Sequence, residues 1–331
     1  MKSKLEELVG RYRALGIDQQ LDYDKFYLYS IITHSTAIEG STITELENQI
    51  MFDNGIALKG KSLIEQNMNL DLKAAYERAL IFARQHSDVT VERLMELSAL
   101  TMKNTGSVYH TMLGDFSSAD GDLRLLNVTA GVGGKSYMSF NKVPTRLTEF
   151  CNDLNIKRHI SGKMDMQELY DMSFDAHFNL VTIHPWADGN GRMARLMMNW
   201  LQFEYGLIPS RIFADDKEGY IKALVDTRES ENLNVFRNFM TETMIRHLTN
   251  DIAAFEESIG ETTVEKVQLS TADRIVSLIK DNPRHSAKSL ADAIGISAKG
   301  IEKQLAKLKA QGVIRRVGPD KGGIWEVVGT E

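Results

Sequence analysis

The sequence has little of what stabilises small secreted proteins or interrupts helices, since its 331 residues include one cysteine, Cys151, and five prolines. A single cysteine cannot form a disulfide within the chain, which is typical of a reducing compartment. No run approaches the roughly 18–20 apolar residues of a membrane-spanning helix. The first fifteen residues mix charged and apolar side chains, unlike a signal peptide. We therefore expect a cytoplasmic protein with no membrane partner.

What is present is an ordinary globular composition, with 43% hydrophobic and 25% charged residues. This excludes disordered and collagen-like chains, and the length predicts two or three domains. The net charge of −6 hides a division between two segments. Residues 270–331 carry 11 basic and 7 acidic side chains, the rest 28 and 38, so the net charges are +4 and −10. The basic tail is therefore treated as a separate module.

Most of the chain is predicted to be helical. Apolar residues recur at three- and four-residue spacing in nine segments, which are 1–15, 24–39, 44–52, 62–85, 91–104, 142–156, 166–183, 191–205 and 233–258. Residues 124–130 and 136–140 instead read as short strands joined by a glycine-rich turn at 131–134. An isolated hairpin of this kind is either an ordinary surface feature or an edge that docks a substrate.

The tail has the order of a winged-helix domain. A polar linker is predicted at 259–269, followed by helices at 272–280, 289–294 and 297–311 and strands at 313–317 and 324–328. Lys299, Lys303 and Lys307 share the outer face of the third helix, and Arg315, Arg316 and Lys321 lie in the wing. A helix face with this positive charge can bind the phosphates of DNA. Protein contacts or dimerisation remain an equal alternative.

Residues 184–195, His-Pro-Trp-Ala-Asp-Gly-Asn-Gly-Arg-Met-Ala-Arg, carry the strongest chemical signal. Pro185 disfavours helical geometry at His184, so the preceding helix ends there. The next helix begins among glycines, and free N–H groups at a helix N-terminus favour an anion. Any one of these residues alone fits a plain turn or cap. A histidine, an acid and two arginines at i and i+3 together indicate a phosphate-handling site with a base.

The run resembles the Fic-family signature HPFx[D/E]GNGRxxR, with Trp186 in place of the aromatic Phe. Fic proteins are mostly adenylyltransferases, which move AMP from ATP to a protein hydroxyl. The resemblance implies that His184 is the base and Asp188 the Mg²⁺ ligand. It implies that Gly189, Asn190 and Gly191 form the anion hole, that Arg192 contacts phosphate and that Arg195 holds the γ-phosphate. The complete GNGR favours AMP transfer over phosphorylation.

A second motif, Ser35-Thr-Ala-Ile-Glu39-Gly40, lies near the N-terminus. Gly40 is a natural helix end, and Thr44 with Glu47 predicts a capping box. A carboxylate in the last helical turn is disfavoured by the helix dipole, so Glu39 is either an exposed acid or pairs with a cation. The segment resembles the Fic inhibitory motif [S/T]xxxE[G/N]. This implies that Glu39 pairs with Arg195, that Ser35 anchors the helix, and that removal of AMP is a lesser activity.

Two further segments have positional counterparts in the family. The 124–140 hairpin resembles the Fic flap, which holds a target peptide by strand addition. Residues 220–228 lie where relatives contact adenine, and Tyr220 fits this role, whereas Arg228 lies near the position of an asparagine in some relatives. His177 is predicted to be a packing residue rather than a second base.

The prediction is thus a mainly α protein, with a Fic-type helical core, a β-hairpin flap and a C-terminal winged helix-turn-helix domain. The expected divisions are an N-terminal helical region at 1–104, with the inhibitory helix at about 24–40, and a Fic catalytic domain at 105–258. A linker at 259–269 and a winged-helix domain at 270–331 follow. We expect an auto-inhibited protein adenylyltransferase that uses ATP and Mg²⁺ and modifies a target protein and itself. The alternative is a DNA-binding transcriptional regulator whose Fic core senses nucleotide. We expect the domain at 270–331 to bind duplex DNA or a protein. The sequence leaves open whether the chain forms a homodimer.

Overall fold

Helices form most of the chain, as the residue spacing predicts. The computed structural model describes residues 2–130, 135–266, 271–294, 296–318 and 323–328. The helices before residue 267 are α1 (Lys2–Ala14), α2 (Tyr23–Ile38), α3 (Glu45–Asn54), α4 (Leu63–Arg84), α5 (Val91–Met102), α6 (Val143–His159), α7 (Met166–Ile183), α8 (Asn190–Glu204), α9 (Lys217–Ser230) and α10 (Leu233–Lys266). Two compact units divide the chain, Met1–Ile252 and Ala253–Glu331.

Helix caps set the boundaries around the second motif, residues 35–40. α2 ends at Ile38, and Gly40 follows with φ +102°, a conformation that glycine adopts without strain. α3 begins with the predicted capping box, in which Glu47 N–H donates to Thr44 Oγ1 (3.3 Å) and Thr44 N–H donates to Glu47 Oε2 (2.8 Å). These caps keep Glu39 at the very end of α2.

The core of the first unit is centred on α7 and α8, which pack on each other, while α4 packs on both α5 and α8. The predicted apolar stripe of α8 is confirmed, because Met193, Leu196, Met197, Trp200 and Leu201 are all fully buried. Trp200 stacks on Phe82 of α4 with ring centroids 5.3 Å apart. Since the other faces of α8 are also buried, any polar side chain on this helix needs an internal partner.

In the described part of the first unit two hairpins interrupt the helices, and only one lies where it is predicted. β1 (Val108–Thr111) pairs antiparallel with β2 (Gly114–Ser117), a hairpin that the sequence did not indicate. The predicted flap strands are much shorter than expected. The described pairing there is one antiparallel bridge, Thr129 with Ser136, flanked by bonds from Ala130 N–H to Lys135 O (3.1 Å) and from Tyr137 N–H to Val128 O (3.0 Å). The predicted turn at 131–134 lies outside the described residues.

The second unit has the predicted winged-helix order. It contains α11 (Thr271–Asp281), α12 (Ala287–Ile294), α13 (Ala298–Ala310) and the antiparallel strands β3 (Ile314–Val317) and β4 (Ile324–Val327). Ile275, Leu290, Ile301, Leu305 and Ile314 belong to its own buried core. Lys321 lies outside the described residues. The unit therefore has its own hydrophobic centre.

Two boundaries differ from the prediction. The segment 217–230 forms α9, which the sequence had indicated only as a stretch of contact residues. α10 continues to Lys266, through most of the predicted linker at 259–269. The polar composition there weakens the apolar pattern by which a helix is recognised in a sequence. Within the described ranges, no helix has both the length and the apolar content that crossing a membrane requires.

Candidate active site

The loop between α7 and α8 is braced by its own side chains. His184 ends α7 with left-handed backbone angles (φ 54°, ψ 62°), and Pro185 follows. Trp186 is fully buried, and its Nε1–H donates to the Gly121 carbonyl (3.1 Å). The Asn190 side chain accepts from Trp186 N–H (3.1 Å) and donates to the Trp186 carbonyl (2.8 Å). The loop therefore has a defined shape without a ligand.

The two ring nitrogens of His184 lie in different environments. Its Nδ1 lies 3.2 Å from the Val181 carbonyl, which only accepts, so Nδ1 carries the proton and Nε2 keeps its lone pair. Burial lowers the pKa of His184 to about 4; Arg124 and Arg228 add to the effect, against the bond to Val181. The imidazole is thus neutral at physiological pH. The Tyr137 ring stacks on it with centroids 3.7 Å apart and planes 17° apart.

Arg124 connects the flap to this loop, a role that sequence reasoning missed. Its side chain is 1% exposed, its Nε donates to the His184 carbonyl (2.7 Å) and its Nη1 donates to the Leu126 carbonyl (2.7 Å). Its Nη2 donates to the Met138 carbonyl. Its backbone N–H donates to Pro185 O (3.0 Å). One buried guanidinium therefore holds both flap segments against the histidine.

The sequence predicts an anion site at the N-terminus of α8. Gly189 precedes the helix with φ +81°, and a Cβ there would lie 2.8 Å from Met102 Sδ. The first-turn amides have no helical acceptor and favour an anion. Because the Asn190 side chain braces the loop, its backbone N–H is the group left to face that anion. Arg192 is 3% exposed, and its Nε has no hydrogen-bond partner among the described residues, so its guanidinium can serve a phosphate.

Glu39 and Arg195 form an ion pair across α2 and α8, as the resemblance implies. Arg195 Nη2 lies 2.5 Å from Glu39 Oε1, while Arg195 Nε donates to Ser35 Oγ (2.8 Å) and Nη2 to Ser35 O (3.0 Å). Burial alone would raise the pKa of Glu39, but the Arg195 guanidinium outweighs it and lowers that pKa. The carboxylate is therefore charged at neutral pH, and the Nε and Nη2 donors of Arg195 are both engaged.

Gly191 brings the ion pair and the anion site together. A Cβ built on Gly191 would lie 2.8 Å from Glu39 Oε1 and 3.1 Å from Arg195 Nη1. The Glu39 carboxylate thus lies against the first turn of α8, where a negatively charged ligand would bind. A phosphate and this carboxylate would repel each other at that distance.

Asp188 is the one acid of the loop. Its side chain is 61% exposed, its Oδ1 accepts from Gly189 N–H (2.6 Å) and lies 3.8 Å from Arg192 Nη2. In the described part of the chain no three His, Cys, Asp or Glu side chains cluster as a metal site would require. Mg²⁺ commonly binds through one or two carboxylates and the phosphates of the substrate, so a single exposed carboxylate fits that ion.

The Tyr220 side chain is buried in the protein and does not lie on the surface of the candidate site. It is 2% exposed, and its hydroxyl lies 2.9 Å from His177 Nε2. His177 is fully buried, burial lowers its pKa to about 3, and its ring stacks on Phe236. This agrees with the packing role expected for His177. The adenine contact of Tyr220 stays a prediction.

Two segments of the chain match known families. Residues 88–202 match the Fic/DOC family, and residues 271–315 match the winged helix-turn-helix DNA-binding family. Protein adenylyltransferase fic-1 of Caenorhabditis briggsae is 25% identical over 203 residues, which are 61% of this chain and 36% of that protein. Protein adenylyltransferase Fic of Nematostella vectensis is 27% identical over 197 residues, 58% and 42% respectively. The chain spans less than half the length of these curated relatives.

Solved structures share the fold. A Fic-domain-containing signaling protein of Bacteroides thetaiotaomicron has a TM-score of 0.62 at 22% identity, covering 77% of this chain and 97% of that one. A Fic family protein of Desulfovibrio desulfuricans has a TM-score of 0.59 at 20% identity, covering 99% and 95%. The predicted fold class and family resemblance are confirmed. The chain carries a Fic/DOC-family domain followed by a winged helix-turn-helix domain.

Proposed function

We propose that this chain is an auto-inhibited protein adenylyltransferase that transfers AMP from ATP to a Ser, Thr or Tyr hydroxyl of a target protein and of itself. The observation that carries the proposal is the ion pair of Glu39 with Arg195, set against a helix N-terminus beside a neutral histidine. The name shared by the matched relatives, protein adenylyltransferase, supports the same chemistry.

His184 acts as the base in this reaction. Its Nε2 lone pair accepts the proton of the target hydroxyl, because Nδ1 is occupied by the Val181 carbonyl. The hydroxyl oxygen forms a bond to the α-phosphorus of ATP, and the bond from that phosphorus to the β-phosphate bridging oxygen breaks. Pyrophosphate leaves with the bonding electrons.

ATP is held at the start of α8. The first-turn amides of Asn190 and Gly191 bind the α- and β-phosphates, Gly189 lets the backbone approach them closely, and Arg192 neutralises their charge. Asp188 would hold Mg²⁺, which when bound neutralises charge on the transferring and leaving phosphates. Arg195 binds the γ-phosphate after its ion pair with Glu39 has broken. Each of these groups acts by positioning and electrostatics, which is how phosphoryl chemistry is usually accelerated.

Glu39 inhibits by occupying Arg195 and by placing its own charge at the anion site. With the carboxylate in place, ATP lacks its γ-phosphate clamp and meets a repelling charge beside Gly191. Removal of AMP, with Glu39 aligning the attacking water, belongs to the same proposal as a lesser activity.

A second candidate function is DNA binding through the tail, and a separate observation supports it. Lys299, Lys303 and Lys307 are exposed on α13, and none has an ion pair within the described residues. The matched domain family is named as DNA-binding. In the regulator alternative the Fic core would sense nucleotide and need no base.

The base discriminates the enzyme from the sensor. Full-length Glu39→Gly is incubated with α-labelled ATP beside the double variant Glu39→Gly/His184→Ala, with ATP binding measured on both. The enzyme predicts labelled protein with the first and at least about a hundredfold less with the second. Both variants are expected to bind ATP. Equal labelling of the two would contradict the role of His184, and ATP binding without labelling in either would favour the sensor.

A further inference from the structure

A cleft of about 470 Å³ lies beside the flap, next to the proposed base. We call it the flap cleft. Its lining includes Tyr137, Ser139, Lys142, Arg146, Thr182 and Arg228. Tyr137 stacks directly on His184. Thr182 precedes His184 by two residues. The flap cleft is therefore a candidate path for a protein segment that offers a hydroxyl to His184.

The lining of the flap cleft carries charge of one sign. Three of its described residues, Lys142, Arg146 and Arg228, are cations, and none is acidic. Lys142 is exposed and has no ion pair among the described residues. Arg146 pairs with Glu149 (2.6 Å), but its side chain is 59% exposed, so this pair is easily exchanged.

Arg228 is the cation of the flap cleft that lies over the ring stacked on His184. Its guanidinium carbon lies 5.1 Å from the centroid of the Tyr137 ring, the same ring that stacks on His184. Its Nε is buried, with no hydrogen-bond partner in the described part of the chain. The next residue, Glu229, is already paired with Lys135 (2.6 Å). A buried guanidinium donor without an acceptor is costly unless a ligand supplies one.

The phosphates of ATP have cations of their own in Arg192 and Arg195 on α8. A second group of cations at the flap is therefore in excess of what the nucleotide needs. Charge complementarity at such a surface mainly selects the partner.

We propose that the flap cleft selects target segments with an acidic side chain close to the modified hydroxyl, which Arg228 and Lys142 bind. This inference rests on the proposed adenylyltransferase function and names its class of substrate. An Asp or Glu carboxylate would pair with the Arg228 guanidinium where it lines the cleft and leave the hydroxyl facing His184. Lys142 adds a second charge from the other side of the same cleft.

The test uses full-length Glu39→Gly, ATP and an oriented peptide library with a central threonine and randomised flanking residues. Labelled peptides are sequenced. The comparison is the same protein with Arg228→Gln and Lys142→Gln. The control carries Lys59→Gln and Lys163→Gln, which remove two exposed charges of the same unit outside the cleft. KM for ATP and self-labelling are measured on all three.

We expect Asp and Glu to be enriched about threefold to fivefold over Lys at one or more flanking positions. The enrichment should be lost in the cleft variant, retained in the control and weakened by salt. A rise in KM for ATP with unchanged peptide preference would place nucleotide in the cleft and overturn the proposal.

Enrichment that is absent, or unchanged in the cleft variant, would also overturn it. Self-labelling without transfer to any acidic peptide would contradict the proposal while leaving the adenylyltransferase intact. No labelling of peptide or protein would contradict the enzyme function itself.

Discussion

Single residues decide the chemistry of this site, and His184 shows how. Its imidazole is half-buried beside two arginines, and burial lowers its pKa to about 4. The neutral form, which is the competent base, therefore persists as pH falls through the range in which a free histidine becomes protonated. The local backbone sets the tautomer, since one nitrogen is committed to the Val181 carbonyl.

We predict that the AMP-transfer activity of Glu39→Gly has no acid limb near pH 6.5. A base with the usual histidine pKa would lose about tenfold of its neutral form between pH 7.5 and 5.5. With its pKa lowered to about 4, His184 should keep kcat/KM nearly constant over that interval. The measurement is a pH–rate profile with circular dichroism at each pH as the folding control. A tenfold fall over this range in folded protein would contradict the lowered pKa.

Arg124 provides a second prediction at this scale. Arg124→Met removes donors from the carbonyls of His184, Leu126 and Met138 while keeping most of the buried volume. We expect the free energy of unfolding to fall by about 1–3 kcal/mol. We also expect slower AMP transfer in the Glu39→Gly background at unchanged ATP affinity.

The check is urea unfolding together with transfer kinetics. Arg84→Met is the control, because Arg84 is exposed on α4. Arg124→Lys should recover only part of the loss, since an ammonium group lacks the planar fork of donors. Full recovery by lysine would show that charge alone is needed at this position.

Elements differ in how far they could be predicted from the sequence. α7 is predicted at both ends, and α8 and α2 within a residue, because long apolar periodicity defines all three and a capping box starts α7. α9 was missed although Tyr220, Ala223, Leu224 and Thr227 are buried at helical spacing. The sequence of α9 therefore does contain the spacing that predicts a helix.

The hairpins could not be predicted in the same way. β1 and β2 have four residues each, too few for an alternating pattern to stand out. The flap is held by Arg124 and by the stacking of Tyr137 on His184, contacts between residues far apart in the chain. The motif residues of the site were predictable because they are contiguous. The tertiary partners that orient them were not.

α13 carries a prediction of its own for DNA. Replacing Lys299, Lys303 and Lys307 by glutamine in the full chain should weaken binding to duplex DNA of any sequence. The slope of log K against log salt should fall by about one for each DNA phosphate that a lysine no longer neutralises.

Fluorescence anisotropy at several salt concentrations measures both quantities. The matched control replaces three exposed lysines of the first unit, Lys59, Lys103 and Lys163. If the two triple variants bind DNA equally, α13 is not a DNA-binding helix. Weak binding that is insensitive to salt would favour the protein-contact alternative for this domain.

At the scale of the whole molecule, the proposed site residues and the basic tail belong to different units of the chain. Every proposed site residue, from Ser35 to Tyr220, lies within Met1–Ile252, and Ala253–Glu331 forms the other compact unit. The net charges of −10 for the body and +4 for the tail follow the same division, with the boundary placed a little later. The acidic body nevertheless holds two buried arginines where phosphate would bind. A homodimer and a cytoplasmic location stay predictions.

We therefore predict that a chain ending at Lys266 keeps its catalytic activity. In the Glu39→Gly background, its rate of AMP transfer to peptide should lie within about twofold of the full-length rate, because units with separate cores commonly function alone. Circular dichroism confirms that the shortened chain is folded. A folded but inactive protein would show that the tail contributes to the site.

Auto-inhibition is tested by comparing the initial rate of AMP transfer by wild type with that of Glu39→Gly. Glu231→Gly is the control, since Glu231 is an exposed glutamate whose φ of 52° already suits glycine. Freeing Arg195 and removing the charge beside Gly191 should raise the rate at least about tenfold, and the control should match wild type. Equal rates for wild type and Glu39→Gly would contradict the claim that Glu39 holds this site inactive.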